Sequence, residues 1–118
     1  MDVVYAKMTI VRHEAREPYS NTNGPYVVVR LVGTDGPDIY AFPDSLMTPR
    51  QAYLTARGVP RSPGPVVARV GGTVYARFRV RNGGALHEIE FADGNFNGTV
   101  FVAPGLLMTA EMVKRTVA

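Results

Sequence analysis

The residues best equipped for chemistry in this chain are its arginines. Between Ser45 and His87 there are seven of them (Arg50, Arg57, Arg61, Arg69, Arg77, Arg79 and Arg81) and no Asp or Glu. The residues before that stretch carry four basic and six acidic groups, those after it two and four, so charge runs −2, +7, −2 along the chain. Eleven of the thirteen basic residues are Arg. A guanidinium is planar and offers a fixed fork of donors, which suits two-point recognition of phosphate or carboxylate. The bland alternative is a coding bias that places Arg where Lys would serve. Three of the seven alternate along VYARFRVR. In a strand, Tyr75, Arg77, Arg79 and Arg81 then share one face, and Val74, Ala76, Phe78 and Val80 the other. Cations beside an aromatic ring on a sheet face form a platform for nucleic acid or another anion.

Other chemistries find little support. With no cysteine, a disulfide framework, a thiolate zinc site and a thiol nucleophile are excluded. His13 and His87 are the only histidines, and neither has metal-ligand spacing to the other or to a carboxylate pair. His87 is expected on the core side of its strand, opposite Val80, as a satisfied, partly buried ring. No serine sits in a nucleophile elbow, and no glycine run matches a phosphate cradle or dinucleotide fingerprint. Asp93-Gly94-Asn95-Phe96-Asn97-Gly98 matches the first six positions of a calcium loop. The closing Glu is replaced by Pro104, and Asn and Gly are also ordinary turn residues. Asn97-Gly98-Thr99 is a glycosylation sequon by pattern alone. No catalytic residue, metal ligand or cofactor is assigned, and the chain reads as non-enzymatic. A small enzyme with loop-borne groups is the least favoured reading.

The elements that must position the arginines are mostly strands. Val66–Val70, Val74–Arg81 and Ala85–Ala92 read as a three-stranded meander joined by Gly71-Gly72 and Gly83-Gly84. A two-residue Gly83-Gly84 turn pairs Asn82 with Ala85. It sets Phe78 opposite Ile89, Ala76 opposite Phe91, Arg79 opposite Glu88 and Arg77 opposite Glu90. That register satisfies both faces. It also spends Arg77 and Arg79 on carboxylates, leaving Arg81 unpaired. Upstream, Val3–Arg12, Tyr26–Gly33 and Asp38–Phe42 read as strands, with a long polar loop over Glu14–Pro25. Thr48-Pro49-Arg50-Gln51 is a capping-box start for a helix from Pro49 to about Arg57, closed by Gly58 and Pro60. Ala52, Tyr53 and Ala56 form its inner stripe, and Arg50 and Arg57, seven apart, share another face. Thr99–Ala103 is a last strand. Ala110–Val117 is a last helix, with Val113 and Val117 inward and Lys114-Arg115 placed to complement its dipole. No internal repeat and no domain boundary is read.

The 118 residues, 46% hydrophobic and 19% charged, suit one domain over residues 1–118. The expected fold is β-rich α+β. It is a small, mostly antiparallel barrel or sandwich of about seven strands, with one helix after the third strand and a short C-terminal helix. No secretion signal and no run of transmembrane length is read, which points to the cytoplasm, a host cytoplasm or a virion, without membrane contact. Tyr26–Val32 is apolar on both faces and needs cover. Tyr26, Val28 and Val32 are therefore assigned to an interface with a second copy or another protein. The leading reading is a binding or assembly module acting through protein contacts as a homo-oligomer. By fold-level analogy, a small viral or phage accessory or structural protein is one home for such a chain. The alternative is an Arg-rich binder of nucleic acid or a phosphate-bearing ligand through Arg50, Arg57, Arg61, Arg69 and Arg81, with Tyr75 as the platform.

Overall fold

The structure, a computed structural model, describes residues 3–14, 25–33, 38–60, 68–94 and 99–117. Its strands are β1 (Val3–Glu14), β2 (Tyr26–Leu31), β3 (Ile39–Ala41), β4 (Thr73–Asn82), β5 (His87–Phe91) and β6 (Thr99–Val102). Its helices are α1 (Pro49–Ala56) and α2 (Ala110–Val117). The strands form one antiparallel sheet in the order β3-β2-β1-β4-β5-β6, curled into a nearly closed barrel. This is the expected β-rich α+β class, with six strands among the described residues. At the expected strand 66–70, residues 66 and 67 lie outside the described ones. Ala68 and Arg69 are irregular and Val70 enters a turn. The neighbour of β4 on that side is β1, so the expected meander is replaced by a long-range pairing.

Period-two alternation decides what lies inside. Ala6, Met8 and Ile10 of β1 meet Val27, Val29 and Leu31 of β2, Val74, Ala76 and Phe78 of β4, and Ile89 and Phe91 of β5 in the barrel core. Phe78 and Phe91 stack with ring centres 4.6 Å apart. Each large apolar side chain closed off from water in this way contributes about 1.5–3 kcal/mol.

The chain also repeats itself. Val4-Tyr5-Ala6-Lys7 of β1 corresponds to Val74-Tyr75-Ala76-Arg77 of β4, and Leu46-Met47-Thr48 before α1 to Leu107-Met108-Thr109 before α2. Ala6 pairs with Ala76, and a pseudo-twofold axis passes between them. Each half runs strand, strand, strand, a 3₁₀ turn opened by proline (Pro43 or Pro104), then a helix. The halves interlock, because Met47 pairs its backbone with Tyr75 of β4 and Met108 with Tyr5 of β1. Hence α1 rests on β4 and α2 on β1, and the two helices pack on each other. Tyr5, Met47, Ala52, Tyr75 and Val113 make a second small core beneath them. The repeat escapes a reading by eye because its identities are two short words. The spacing between those words also differs in the two halves, β1 and β2 being joined by a much longer loop than β4 and β5.

The β4–β5 hairpin keeps the expected faces but not the expected register. Phe78 lies opposite Phe91, Arg79 opposite Glu90 and Val80 opposite Ile89, and the register slips once more between Val80 and Asn82. The loop is residues 83–86 in place of Gly83-Gly84 alone, and Leu86 is exposed. A shift of two residues leaves every side chain on its own face, so the core assignment survives while the ion pairs change.

Helix α1 is capped as expected. The Thr48 hydroxyl accepts the Gln51 N–H at 3.1 Å, and the Gln51 side chain accepts the Thr48 N–H at 2.9 Å. Its end is closed by bonds from Gly58 to Thr55 and from Val59 to Leu54, with Gly58 at φ +87°. Gly94, at φ +81°, has a second constraint, since a Cβ there would lie 2.0 Å from the Ser45 hydroxyl oxygen. Gly58 has open space around it. Chemical denaturation of the two alanine variants is expected to separate these effects. Gly58→Ala loses about 1 kcal/mol for the left-handed backbone alone, and Gly94→Ala at least about 2 kcal/mol.

Candidate anion-binding face

The site starts from the spacing of α1. Arg50, Tyr53 and Arg57 fall at i, i+3 and i+7, on one flank of the helix, while Ala52 and Ala56 turn inward to the small core. The guanidinium carbons of Arg50 and Arg57 lie 5.6 and 5.7 Å from the centre of the Tyr53 ring. Arg57 Nη1 also donates to the Tyr53 hydroxyl at 3.1 Å. Cation–π contacts at exposed sites contribute about 0.5–1 kcal/mol each. Their larger effect is to hold two long cations beside a ring, which lowers the ordering cost of binding an anion. Both arginines are exposed, and neither has a carboxylate within 4.0 Å among the described residues. Helix α2, packed alongside, adds Lys114 and Arg115 against one acid, Glu111, which bonds Lys114 at 2.5 Å. The α layer with its Arg57 cap therefore carries four cations and one carboxylate, a net +3.

The remaining arginines divide by whether a carboxylate holds them. Arg77 meets Asp93 with two bonds, Nε to Oδ2 at 2.9 Å and Nη2 to Oδ1 at 2.7 Å. Asp93 pushes the Arg77 pKa up, while burial raises that of neighbouring Tyr5 against the opposing pull of Arg77. The expected Arg77–Glu90 pair is thus replaced by Arg77–Asp93, because the register moves Glu90 opposite Arg79. Arg81, expected to be unpaired, reaches Glu90 at 3.9 Å. Among the described residues Arg79 donates to the Ala92 carbonyl, at 3.4 Å, and to no carboxylate. Arg69 is exposed in the turn before β4, and Arg61 lies outside the described residues. Of the five arginines expected to converge, Arg50 and Arg57 stand together and Arg81 is tied to the opposite end of β4.

Tyr75 cannot serve as the platform. It is 2% exposed beneath the helices, and burial raises its pKa. Tyr53, expected on the inner stripe of α1, is the ring that stands between cations. Its i+3 spacing from Arg50 was the available signal, obscured by the assumption that an aromatic residue faces the core.

The expected interface is likewise mostly internal. Tyr26 is 1% exposed and Val28 fully buried, whereas Val32 is 44% exposed. Tyr26 stacks on Phe42 at 5.0 Å and meets Tyr40 edge-on at 6.3 Å. Val28 pairs with Arg12 and Tyr40, under a network in which Arg12 and Arg30 both bond Asp38. Arg30 beside it holds the Asp38 carboxyl below the usual range. The chain covers its own apolar face, and a second copy is not needed to bury Tyr26 and Val28.

His13 Nε2 lies 3.0 Å from the Ala68 carbonyl. Asp93, first residue of the calcium-like run, is committed to Arg77, and residues 95–98 lie outside the described ones. Among the described residues no group of three or more acids and histidines is placed to hold a metal, and no helix is long and apolar enough to cross a membrane. No family model, curated protein or solved structure matches the chain. Arg77→Ala removes two charged hydrogen bonds from the partly buried Asp93 carboxylate, and thermal or urea unfolding is expected to show a loss of about 2 kcal/mol.

Proposed function

We propose that this protein is a non-enzymatic binding module whose α1–α2 face holds a phosphate-bearing polyanion, with single-stranded nucleic acid as the first candidate. The observation that carries this reading is the Arg50–Tyr53–Arg57 cluster, two exposed guanidiniums set on one ring with no carboxylate within 4.0 Å among the described residues. Guanidinium planes stack on bases and pair with phosphate oxygens, so the cluster suits a flexible strand better than a rigid groove. The arginines that carboxylates hold are structural by contrast.

The experiment is retention of the whole protein on heparin and on a single-stranded thymidine oligomer across a salt series. Arg50→Ala and Arg57→Ala are each expected to weaken retention and to lower the slope of log K against log salt by about one. No retention by the unmodified protein at low salt, or unchanged retention in both variants, sinks the reading.

A second reading, self-association, has its own observation. Phe101 is 60% exposed on β6, which among the described residues pairs only with β5. An apolar side chain on a strand with one open edge invites pairing with another chain. Light scattering at micromolar concentration is then expected to give a mass well above 12.8 kDa, returning to the monomer value in Phe101→Asp. A clean monomer removes this reading. Both suit a small accessory protein of a cytoplasm or a virion, on fold-level analogy.

A further inference from the structure

The pseudo-twofold axis makes each half a control for the other, and at one place they disagree. At the end of the barrel where α2 begins there is a cleft of about 470 Å³, walled by Val4, Val80, Leu107 and Met108, with Pro104 at its side. Two polar side chains, His87 and Thr109, complete it. The corresponding residues of the first half are Val74, Ile10, Leu46 and Met47, with Val27 in place of His87. All five are 3% exposed or less. There Ala68 packs onto the core, and Gly71 and Gly72 tie the segment to Ile10 by backbone bonds of 2.8 and 3.0 Å. One fold has thus been closed at one end and left open at the other. At the open end a histidine replaces a valine.

We propose that this cleft is a binding site for a small molecule with a compact apolar body and a single hydrogen-bond-accepting head, a carboxylate above all. The volume falls within the range of small-molecule pockets, and most of the lining side chains are apolar, with backbone and two polar side chains beside them. The polarity of the head follows from the donors. The Thr109 hydroxyl already accepts the Met112 N–H at 3.2 Å, so its own proton remains to be given. His87 is the one lining side chain able to carry charge, and its Nδ1 is buried without a hydrogen-bond partner. With Nδ1 closed off from water, a ligand in the cleft meets the ring at its other edge, where the Nε2–H tautomer donates. Donors without an opposing carboxylate on the wall select an acceptor.

The site is separate from the arginine face, and the test keeps them apart. The whole protein, labelled with ¹⁵N, is titrated with hexanoate and in parallel with hexylammonium, which has the same body and a head that only donates. Hexanoate is expected to move the amide signals of His87, Leu107, Met108 and Thr109, and hexylammonium to leave them in place. His87→Val, which installs the residue found at the equivalent position of the first half, is expected to weaken hexanoate binding by about tenfold or more. Val80→Phe, which fills the cleft from a half-buried position, is expected to abolish it with the spectrum otherwise intact. No response to hexanoate, an equal response to both heads, or shifts confined to α1 around Arg50 and Arg57 overturns the proposal. The last of these outcomes would instead support the arginine face as the carboxylate site.

Discussion

Everything in this structure depends on two backbone pairings, Met47 with Tyr75 and Met108 with Tyr5. Each is a reciprocal pair of hydrogen bonds of 2.7–2.8 Å. Each lies beyond the end of a hairpin, where β4 or β1 would otherwise present unpaired amides. An orphaned buried backbone group costs as much as a lost hydrogen bond, so the crossing segment meets a need the strands already have. Its consequences are geometric. The crossing carries Leu46 and Leu107 into the barrel core, aims each helix at the other half's central strand, and closes the outer faces of Tyr5 and Tyr75. Neither half buries its core without the other.

The same crossing explains which arginines are free. Covering the centre of the sheet with helices leaves the outer face of β4 exposed toward its ends, at Thr73 and at Arg79 and Arg81, which lie close to Glu90. Nearer the axis Arg77 is held under the α layer by Asp93. Its counterpart Lys7 has no such acid among the described residues, where the position equivalent to Asp93 at the end of β2 is a glycine, Gly33. Among the described residues, Arg50 and Arg57, with no carboxylate within 4.0 Å, stand on the α layer. The +7 middle of the −2, +7, −2 pattern thus divides in three dimensions, with Arg77 held by Asp93, Arg79 and Arg81 on the exposed end of β4, and Arg50 and Arg57 on the helical layer.

Much of this was legible in the residues. The alternation of β4 identified its core face, and Thr48-Pro49-Arg50-Gln51 identified α1 with its capping box, because those signals are local and repeat the physics of a single element. The hairpin register was not legible. Gly83-Gly84 is a sound two-residue turn, but the irregularity after Val80 and the exposed loop to Leu86 lengthen the connection, and nothing local announces them. Asp93 was read as a turn residue, since the partner of Arg77 follows from that register. The burial of Tyr75, the internal cover over Tyr26 and Val28, and the pairing of β1 with β4 are long-range outcomes. They depend on where a helix and an aromatic cluster land, which a strand's own pattern does not encode.

The pseudo-twofold relation of the two halves gives a further way to separate structural residues from others. Where both halves keep a residue type (Tyr5 and Tyr75, Ala6 and Ala76, Met47 and Met108, Pro43 and Pro104), the shared architecture needs it, and each of these lies at the axis, the crossing or the turn that leads into it. Where the halves differ at equivalent positions that are not both buried in the core, packing of the common fold is not the reason for both choices. Val27 against His87, Gln51 against Met112, and Arg50 against Glu111 are such pairs, and all lie at the open cleft or on the helical layer. A core position tolerates only volume-conserving change, so the exchange of a buried valine for a half-buried histidine marks a site released from the packing constraint. Differences of this kind, at positions that the core does not constrain, separate the open cleft and the helical layer from the positions at the axis and the crossing that both halves keep.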